Sequence, residues 1–470
     1  MHCLICAIRA IRERCLFIVN FPMRFLGFLF IILMHVASAQ QPGVVEEIVK
    51  CKADPKQTYA LYVPKNYSPS DPPGLILIFD PGARGKMPVG LYKDIANKYN
   101  VVLACSNNSR NGPVEESMIA GDAVFTDVIS NFSINKNFIL TSGFSGGGRT
   151  AVEIASGSPK LFSGVITCGA AFSSQKAITR EKPVYFAEVI GRSDMNYQEA
   201  ITAEKFLGQL NNPHTLIMFD GGHQWPPPAA YEEALAWHYL RITGDNLIAQ
   251  AIHSWQLKNA TAQIDSGYLY EANRMLIQMK RDFQQPNLLS KTETLVKTLN
   301  DNRNLKSQLK DVARMDERER SLQKDLGTQY VQHIAYTAPD SAFHPEYWRA
   351  FRRDCDKLIG SGDKYKILAG SRLVDFGWRM CAEQHYIYME YDQFRQAAMA
   401  ARIWSLIQPA RPDPCVQAAK AFALHERRDQ MMEYLKMAVA RGLKDKQAVL
   451  QDRAFAKYMK DEAFLNLMTK

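Results

Sequence analysis

Residues 138–149 read Phe138-Ile139-Leu140-Thr141-Ser142-Gly143-Phe144-Ser145-Gly146-Gly147-Gly148-Arg149. A short apolar β-type run is followed by a glycine-rich turn and then by a stretch with helical spacing as far as Ser156. The turn has the form G-x-S-x-G. Gly143 and Gly147 let it be tight enough to hold the serine between them in a strained, exposed position at a strand end. A phosphate-binding loop would use similar residues, but neither G-x-G-x-x-G nor a following Lys-Ser/Thr is present. The order strand, serine turn, helix therefore sets the reading of the sequence around it.

Outward from this turn, Glu46 to about Arg241 alternates apolar β-type runs with amphipathic helical ones, which is the pattern of an α/β sheet. The runs are Leu75–Phe79, Val101–Cys105, Phe138–Thr141, Val165–Cys168, Val184–Ile190 and Leu216–Phe219. None alternates with polar residues, as expected of parallel strands covered on both faces. Helices are expected near Tyr92–Lys98, Met118–Asn131, Gly148–Ser156, Tyr197–Leu210 and Tyr231–Leu240. Gln57–Val63 does alternate and is expected as an antiparallel edge strand. The class is α/β, a doubly wound and mostly parallel sheet.

A serine nucleophile needs a base. Residues 40–245 contain three histidines, His214, His223 and His238. His214 precedes the last strand, at the end away from the carboxyl edge, and His238 lies within a helix. His223 follows the last strand in Asp220-Gly221-Gly222-His223-Gln224-Trp225-Pro226, at the edge where such sheets meet ligands. It is the candidate base. After the preceding strand comes Gly191-Arg192-Ser193-Asp194, which makes Asp194 the candidate orienting acid, with Asp220 as its competitor. The chain order Ser145, Asp194, His223 differs from the orders of trypsin-like and subtilisin-like enzymes.

With these pieces in hand, residues 57–241 resemble the compact α/β-hydrolases that include dienelactone hydrolases, feruloyl esterases and polyhydroxybutyrate depolymerases. The resemblance rests on Tyr59-Ala60-Leu61-Tyr62-Val63-Pro64 with Tyr67, the turn Gly143–Gly147, Gly191–Asp194 and Gly221–Pro226. It implies a serine hydrolase, most readily a carboxylic ester hydrolase, with Ser145, Asp194 and His223 catalytic and with no metal or organic cofactor. It also implies an oxyanion hole from the N–H of Gly146 and an N–H of the loop after the Leu75–Phe79 run. There the family has His-Gly and this chain has Asp80-Pro81-Gly82-Ala83-Arg84. Pro81 has no N–H, so the second donor is expected from Gly82 or Ala83. Arg84, Phe144 and Trp225 are candidate substrate contacts. The short Gly169–Pro183 connection leaves no room for a helical lid, so the site is expected to be open to a bulky or polymeric ester. A serine exopeptidase of the same fold, and a scaffold protein that keeps the fold without the activity, are the alternatives.

From about Asn246 β-type runs and Gly become scarce, and an all-α region is expected. Asn300–Gln329 carries Leu305, Leu309, Val312, Leu322 and Leu326 as one apolar stripe among charges of both signs. Farther on, Cys381 pairs with Cys415, Tyr388 with Phe422 and Ala401 with Leu435 at a spacing of about 34 residues. That spacing, with Ala397 and Pro409, resembles tetratricopeptide repeats, which implies either a surface for a protein or peptide partner or a purely structural cap. Gly244-Asp245 is the only break before this region, so it is expected to dock on the sheet, with the aromatic-rich Phe343–Arg379 stretch near the cleft or forming the helical core.

Met23–Ala39, MRFLGFLFIILMHVASA, has a basic start, an apolar stretch from Phe25 to Val36 and a small-x-small ending. It reads as a signal peptide cleaved before Gln40, with Met23 as the start of translation, so the protein is expected to be exported, periplasmic or secreted. Membrane attachment follows only if the leader is uncleaved. The expected layout is a leader over 1–39, an α/β-hydrolase domain over 40–244 and a helical domain over 245–470. Beyond the leader 53 basic residues face 47 acidic ones, too even a balance for a nucleic-acid partner. Cys51, Cys105, Cys168, Cys355, Cys381 and Cys415 are widely spaced with no C-x-x-C, against both a disulfide scaffold and a cysteine metal site.

Overall fold

A computed structural model describes residues 41–173, 178–179, 183–334 and 343–469. The leader expected over 1–39 lies outside the described residues. Eight strands form one sheet: β1 Val45–Lys50, β2 Thr58–Tyr62, β3 Gly74–Phe79, β4 Val101–Ser106, β5 Ile139–Phe144, β6 Gly164–Cys168, β7 Tyr185–Gly191 and β8 His214–Phe219. Their order is β1-β2-β4-β3-β5-β6-β7-β8. The pairs β1–β2 and β2–β4 are antiparallel, and all other pairs are parallel. The strand expected at the antiparallel edge, β2, is therefore one place in. The edge is β1, whose Glu46, Glu47 and Lys50 break up any apolar run and suit a strand with a solvated side.

The central strands are apolar throughout because both faces are covered. Leu75, Leu77 and Phe79 pack beneath α2 Val114–Asn131 and α3 Gly146–Gly157, with Val124, Val128, Ala151 and Val152. Ile76 and Ile78 point the other way, into a cluster with Val89 and Tyr92 of α1 Lys86–Lys98 and Tyr231 and Trp237 of α5 Pro228–Thr243. Helix α4, Tyr197–Gln209, runs between β7 and β8.

Gly244, left-handed at φ 66°, ends α5, and Asp245 caps the next helix by accepting from the N–H groups of Leu247 and Ile248 at 2.7 and 3.1 Å. The rest of the described chain is helical: α6 Asn246–Asp265, α7 Leu269–Asp282, α8 Pro286–Asn300, α9 Leu305–Ile334, α10 Pro345–Ile359, α11 Lys364–Glu390, α12 Phe394–Ile407, α13 Asp413–Leu424, α14 Arg428–Ala440, α15 Lys446–Gln451 and α16 Glu462–Thr469. Asn300 ends one helix and α9 begins at Leu305, so the charged stretch starts later than its sequence pattern suggests. Asp392 and Glu426, left-handed at φ 55° and 59°, close α11 and α13 with the same double turn. In each, the following N–H bonds back to the helix, Gln393 to Tyr388 O at 2.8 Å and Arg427 to Phe422 O at 2.9 Å. The recurrence pairs the same Tyr388 and Phe422 that the sequence echo pairs.

The helical half packs on the sheet. Trp237 Nε1 donates to Asp282 at 3.1 Å, Arg274 pairs with Glu204 at 2.8 Å and Gln278 Nε2 donates to the carbonyl of His214 at 3.0 Å. The six cysteines from Cys51 onward are all buried and unbridged.

Candidate active site

The register of the sheet brings four loops together at its carboxyl edge. Phe79 pairs with Gly143, so the loop after β3 opens beside the serine turn. Gly191 pairs with Phe219, so the loops of Asp194 and His223 leave the sheet side by side. Ser145 sits between β5 and α3 at φ 52°, ψ −122°, a conformation that side chains rarely adopt. The turn needs its glycines for close approach: a Cβ on Gly143 would lie 2.2 Å from the Gly147 carbonyl oxygen, and one on Gly147 would lie 2.2 Å from that of Phe79.

Three side chains meet there. Ser145 Oγ is 3.0 Å from His223 Nε2, and His223 Nδ1 is 2.9 and 3.0 Å from the two Asp194 oxygens. A carboxylate only accepts, so Nδ1 carries the imidazole proton and Nε2 is left to accept from the serine hydroxyl. Asp194 is fully buried, and its Oδ1 also accepts from the Asn196 N–H at 2.8 Å. Ser145 is 8 % exposed, so the hydroxyl is recessed rather than displayed on the surface.

The competitors lie elsewhere. The Asp220 side chain is 91 % exposed and pairs with Arg192 at 3.0 Å. His214, at the start of β8, donates through Nδ1 to Asn212 O at 2.7 Å. His238 is fully buried and donates to Val165 O at 3.1 Å, and burial pushes its pKa down to about 3.

The loop after β3 differs from expectation. Gly82 N–H donates to Asp80 Oδ1 at 2.8 Å and Ala83 N–H to Asp80 O at 3.1 Å, so both N–H groups expected to face an oxyanion are taken up inside the loop. Asp80 is the reason. It is fully buried and also accepts from Arg84 Nε at 2.8 Å, Arg84 Nη2 at 3.0 Å and Trp225 Nε1 at 2.8 Å. Burial pushes its carboxyl up, but hydrogen bonds from Arg84, Trp225 and Gly82, with the charge of Arg84, outweigh that and hold it below the usual carboxylate range. Gly146 opens α3, where an N–H has no acceptor within the helix. The Asn111 side chain lies against it, with Oδ1 1.9 Å from the place a Cβ would occupy. Nothing in its sequence surroundings marks Asn111 as part of the site.

Of the candidate substrate contacts, Phe144 and Trp225 pack against each other beside the histidine. Both are buried, their rings 5.6 Å apart, and Phe144 lies 4.6 Å from the His223 ring. Arg84 is the accessible one, its side chain 55 % exposed while it holds Asp80. The aromatics of Phe343–Arg379 build the helical core, with Trp348 fully buried. Phe376 also walls a cavity of about 410 Å³ with Phe172, Met195 and Asn196, beside the Asp194 loop. Among the described residues no cluster of His, Cys, Asp and Glu could hold a metal ion, and no helix is long and apolar enough to cross a membrane.

The strand order, the serine turn after β5, the acid after β7 and the histidine after β8 are together one known arrangement. The chain has an α/β-hydrolase fold. No protein-family model matches the sequence, and no curated protein does either. Solved structures similar to it include an S-formylglutathione hydrolase from Staphylococcus aureus, at 16 % identity and TM-score 0.34, covering 39 % of this chain and 90 % of the other. A ferulic acid esterase matches at 13 % and 0.33, covering 41 % and 94 %. A dipeptidyl peptidase 4 from Porphyromonas gingivalis matches at 14 % and 0.32, covering 38 % and 32 %.

Proposed function

We propose that this α/β-hydrolase is an exported serine hydrolase that cleaves carboxylic esters, including bulky or polymeric ones, through an acyl-enzyme. The observation that carries the reading is the continuous hydrogen-bonded line Ser145 Oγ, His223 Nε2, His223 Nδ1, Asp194. Ser145 Oγ attacks the ester carbonyl carbon while its proton passes to His223 Nε2. The charge left on the carbonyl oxygen is met by the Gly146 N–H. Collapse breaks the bond to the alcohol oxygen, which takes the proton back from Nε2, and water repeats the cycle on the acyl-serine. Asp194 holds the tautomer and stabilises the imidazolium. These steps call on no metal or organic cofactor. Export rests on the Met23–Ala39 leader, and the helical half is read as tetratricopeptide-like from its sequence echo.

A fluorophosphonate probe and a panel of p-nitrophenyl esters, feruloyl esters and aminoacyl anilides test the reading. The wild-type chain is expected to be labelled and to turn over esters, and Ser145→Ala to do neither while keeping its circular dichroism spectrum. Labelling or ester turnover above background in Ser145→Ala sinks the mechanism. A preference for the anilides would make the protein an exopeptidase instead.

A further inference from the structure

The helical half reaches the acid loop through an ion pair shielded from solvent. Glu319 on α9 and Arg372 on α11 have side chains 0 % and 4 % exposed. Arg372 donates to Glu319 through Nε at 2.8 Å and Nη2 at 2.5 Å, a two-pronged pairing that fixes the plane of the guanidinium. The remaining nitrogen, Nη1, is thereby aimed at one place, and it donates to the carbonyl of Arg192 at 2.8 Å. Arg192 stands two residues before Asp194.

The other side of Asp194 is held by the same group. The Arg372 guanidinium lies 4.1 Å from the centre of the Tyr197 ring. Gln198 donates to Asp316 Oδ1 at 3.0 Å and to Glu319 Oε2 at 2.9 Å. Between these anchors the loop closes on itself, Asp194 N–H to Gly191 O and Tyr197 N–H to Asp194 O, both at 3.0 Å. Fixing residues 192, 197 and 198 therefore fixes the carboxylate between them.

Stability alone does not call for this arrangement. A buried ion pair is commonly no better than well-packed apolar side chains of the same volume, because both charges must leave water. What the pair supplies and an apolar pair could not is a directed donor to the Arg192 carbonyl. We propose that Glu319 and Arg372 are positioning residues for Asp194, which makes the helical half an integral part of the hydrolytic site. This rests on the reading of Ser145 as nucleophile.

The test uses the full chain in four forms: wild type, Glu319→Met with Arg372→Met, Arg372→Lys, and Arg372→Lys in an Asp194→Asn background. The double methionine variant removes both charges at similar volume and is expected to unfold near the wild-type temperature. Its kcat is expected to fall by about ten- to a hundredfold with KM unchanged, because loss of geometry at the reacting groups acts on turnover rather than on binding. Arg372→Lys keeps the charge but not the fork, and it too is expected to lower kcat. It remains informative should the double variant fail to fold. In the Asp194→Asn background Arg372→Lys is expected to change kcat by less than about twofold, since its effect passes through the carboxylate already lost. Wild-type kcat in the folded double variant or in Arg372→Lys overturns the proposal, and so does a full additional loss in the Asp194→Asn background. Failure of the wild-type chain to label, or labelling of Ser145→Ala, overturns the underlying reading instead.

Discussion

Trp225 Nε1 donates to Asp80 Oδ2 at 2.8 Å, joining the loop after β3 to the loop that carries His223. The two residues are 145 positions apart. Asp80 gathers its other bonds from Gly82 and Arg84, so one buried carboxylate organises the wall of the site opposite Asp194.

Asp80→Asn should therefore lower both turnover and stability. Hydrogen bonds to a charged group contribute about 1.5–3 kcal/mol net, and the variant weakens several at once, so a loss of about that size is expected in urea unfolding at pH 7. The pH dependence has a definite sign. The Asp80 carboxyl is held below its ordinary value in the folded chain. Its contribution is therefore complete above the unfolded pKa of about 3.9 and is lost as pH falls through the lower folded value. Wild type and variant should converge as pH falls below that unfolded value. A stability gap that stays constant from pH 7 down to pH 2 would refute the assignment.

The acid of the candidate triad separates from its competitor by burial. Asp194 is fully buried against His223, whereas the Asp220 side chain is 91 % exposed on Arg192. Asp194→Asn is expected to lower kcat by about 10⁴, since the amide favours the wrong imidazole tautomer. Asp220→Asn should stay within about threefold of wild type, as a single exposed pair contributes little. A larger loss from Asp220→Asn would transfer the role to that residue.

The parts of this site that were legible in sequence share a physical cause. Ser145, Asp194 and His223 each follow an apolar run, and in a parallel sheet every such run ends at the same edge, so order along the chain predicts proximity. Asp80 and Trp225 also follow apolar runs, Leu75–Phe79 and Leu216–Phe219, but nothing in the sequence marks them as partners. An aspartate before a proline reads as turn chemistry, and a tryptophan in an edge loop reads as a substrate contact. Only the fold shows that each completes the other. Glu319 and Arg372 were obscured for a related reason. Glu319 lies in a stretch with charges of both signs, where the expectation is a solvated face, and Arg372 lies in the Phe343–Arg379 stretch, where only the aromatics stand out. The apolar stripe through Leu322 and Leu326 was legible, but the burial of Glu319 depends on a hydrolase surface supplied by distant sequence. The edge strand β1 escaped because two glutamates interrupt its short run, and only its pairing with β2 makes it a strand.

Ser145 is held at φ 52° and ψ −122°, which costs a side-chain-bearing residue of order 1–3 kcal/mol. Glycine escapes that strain but loses about 0.5–1 kcal/mol through the greater freedom of its unfolded chain. Ser145→Gly should consequently be more stable than Ser145→Ala by about 1 kcal/mol, with both inactive. Urea midpoints of the two inactive variants make the comparison without interference from catalysis. Equal midpoints, or a more stable alanine variant, would show that the elbow stores no strain.

Glu233 gives the junction between the two halves a pH dependence opposite to that of Asp80. It lies on α5, and its Oε1 accepts from Gln256 Nε2 on α6 at 3.2 Å. Burial pushes its carboxyl up to about 7, the bond from Gln256 only partly offsetting this. The folded value is above the unfolded one of about 4.3, so the stabilising state is the protonated one. Its contribution is fully present below about pH 4.3 and is lost as pH rises through about 7. Glu233→Gln keeps an acceptor for Gln256 and has no charge to bury. It should match wild type near pH 4.5 and exceed it in stability above pH 7.5, with a flatter urea midpoint between those limits. Because other buried carboxylates remain in both proteins, the quantity that decides is the difference between the two curves. A difference that does not change between pH 4.5 and 8 would mean that Glu233 is charged in the folded chain throughout, with water reaching the junction between α5 and α6.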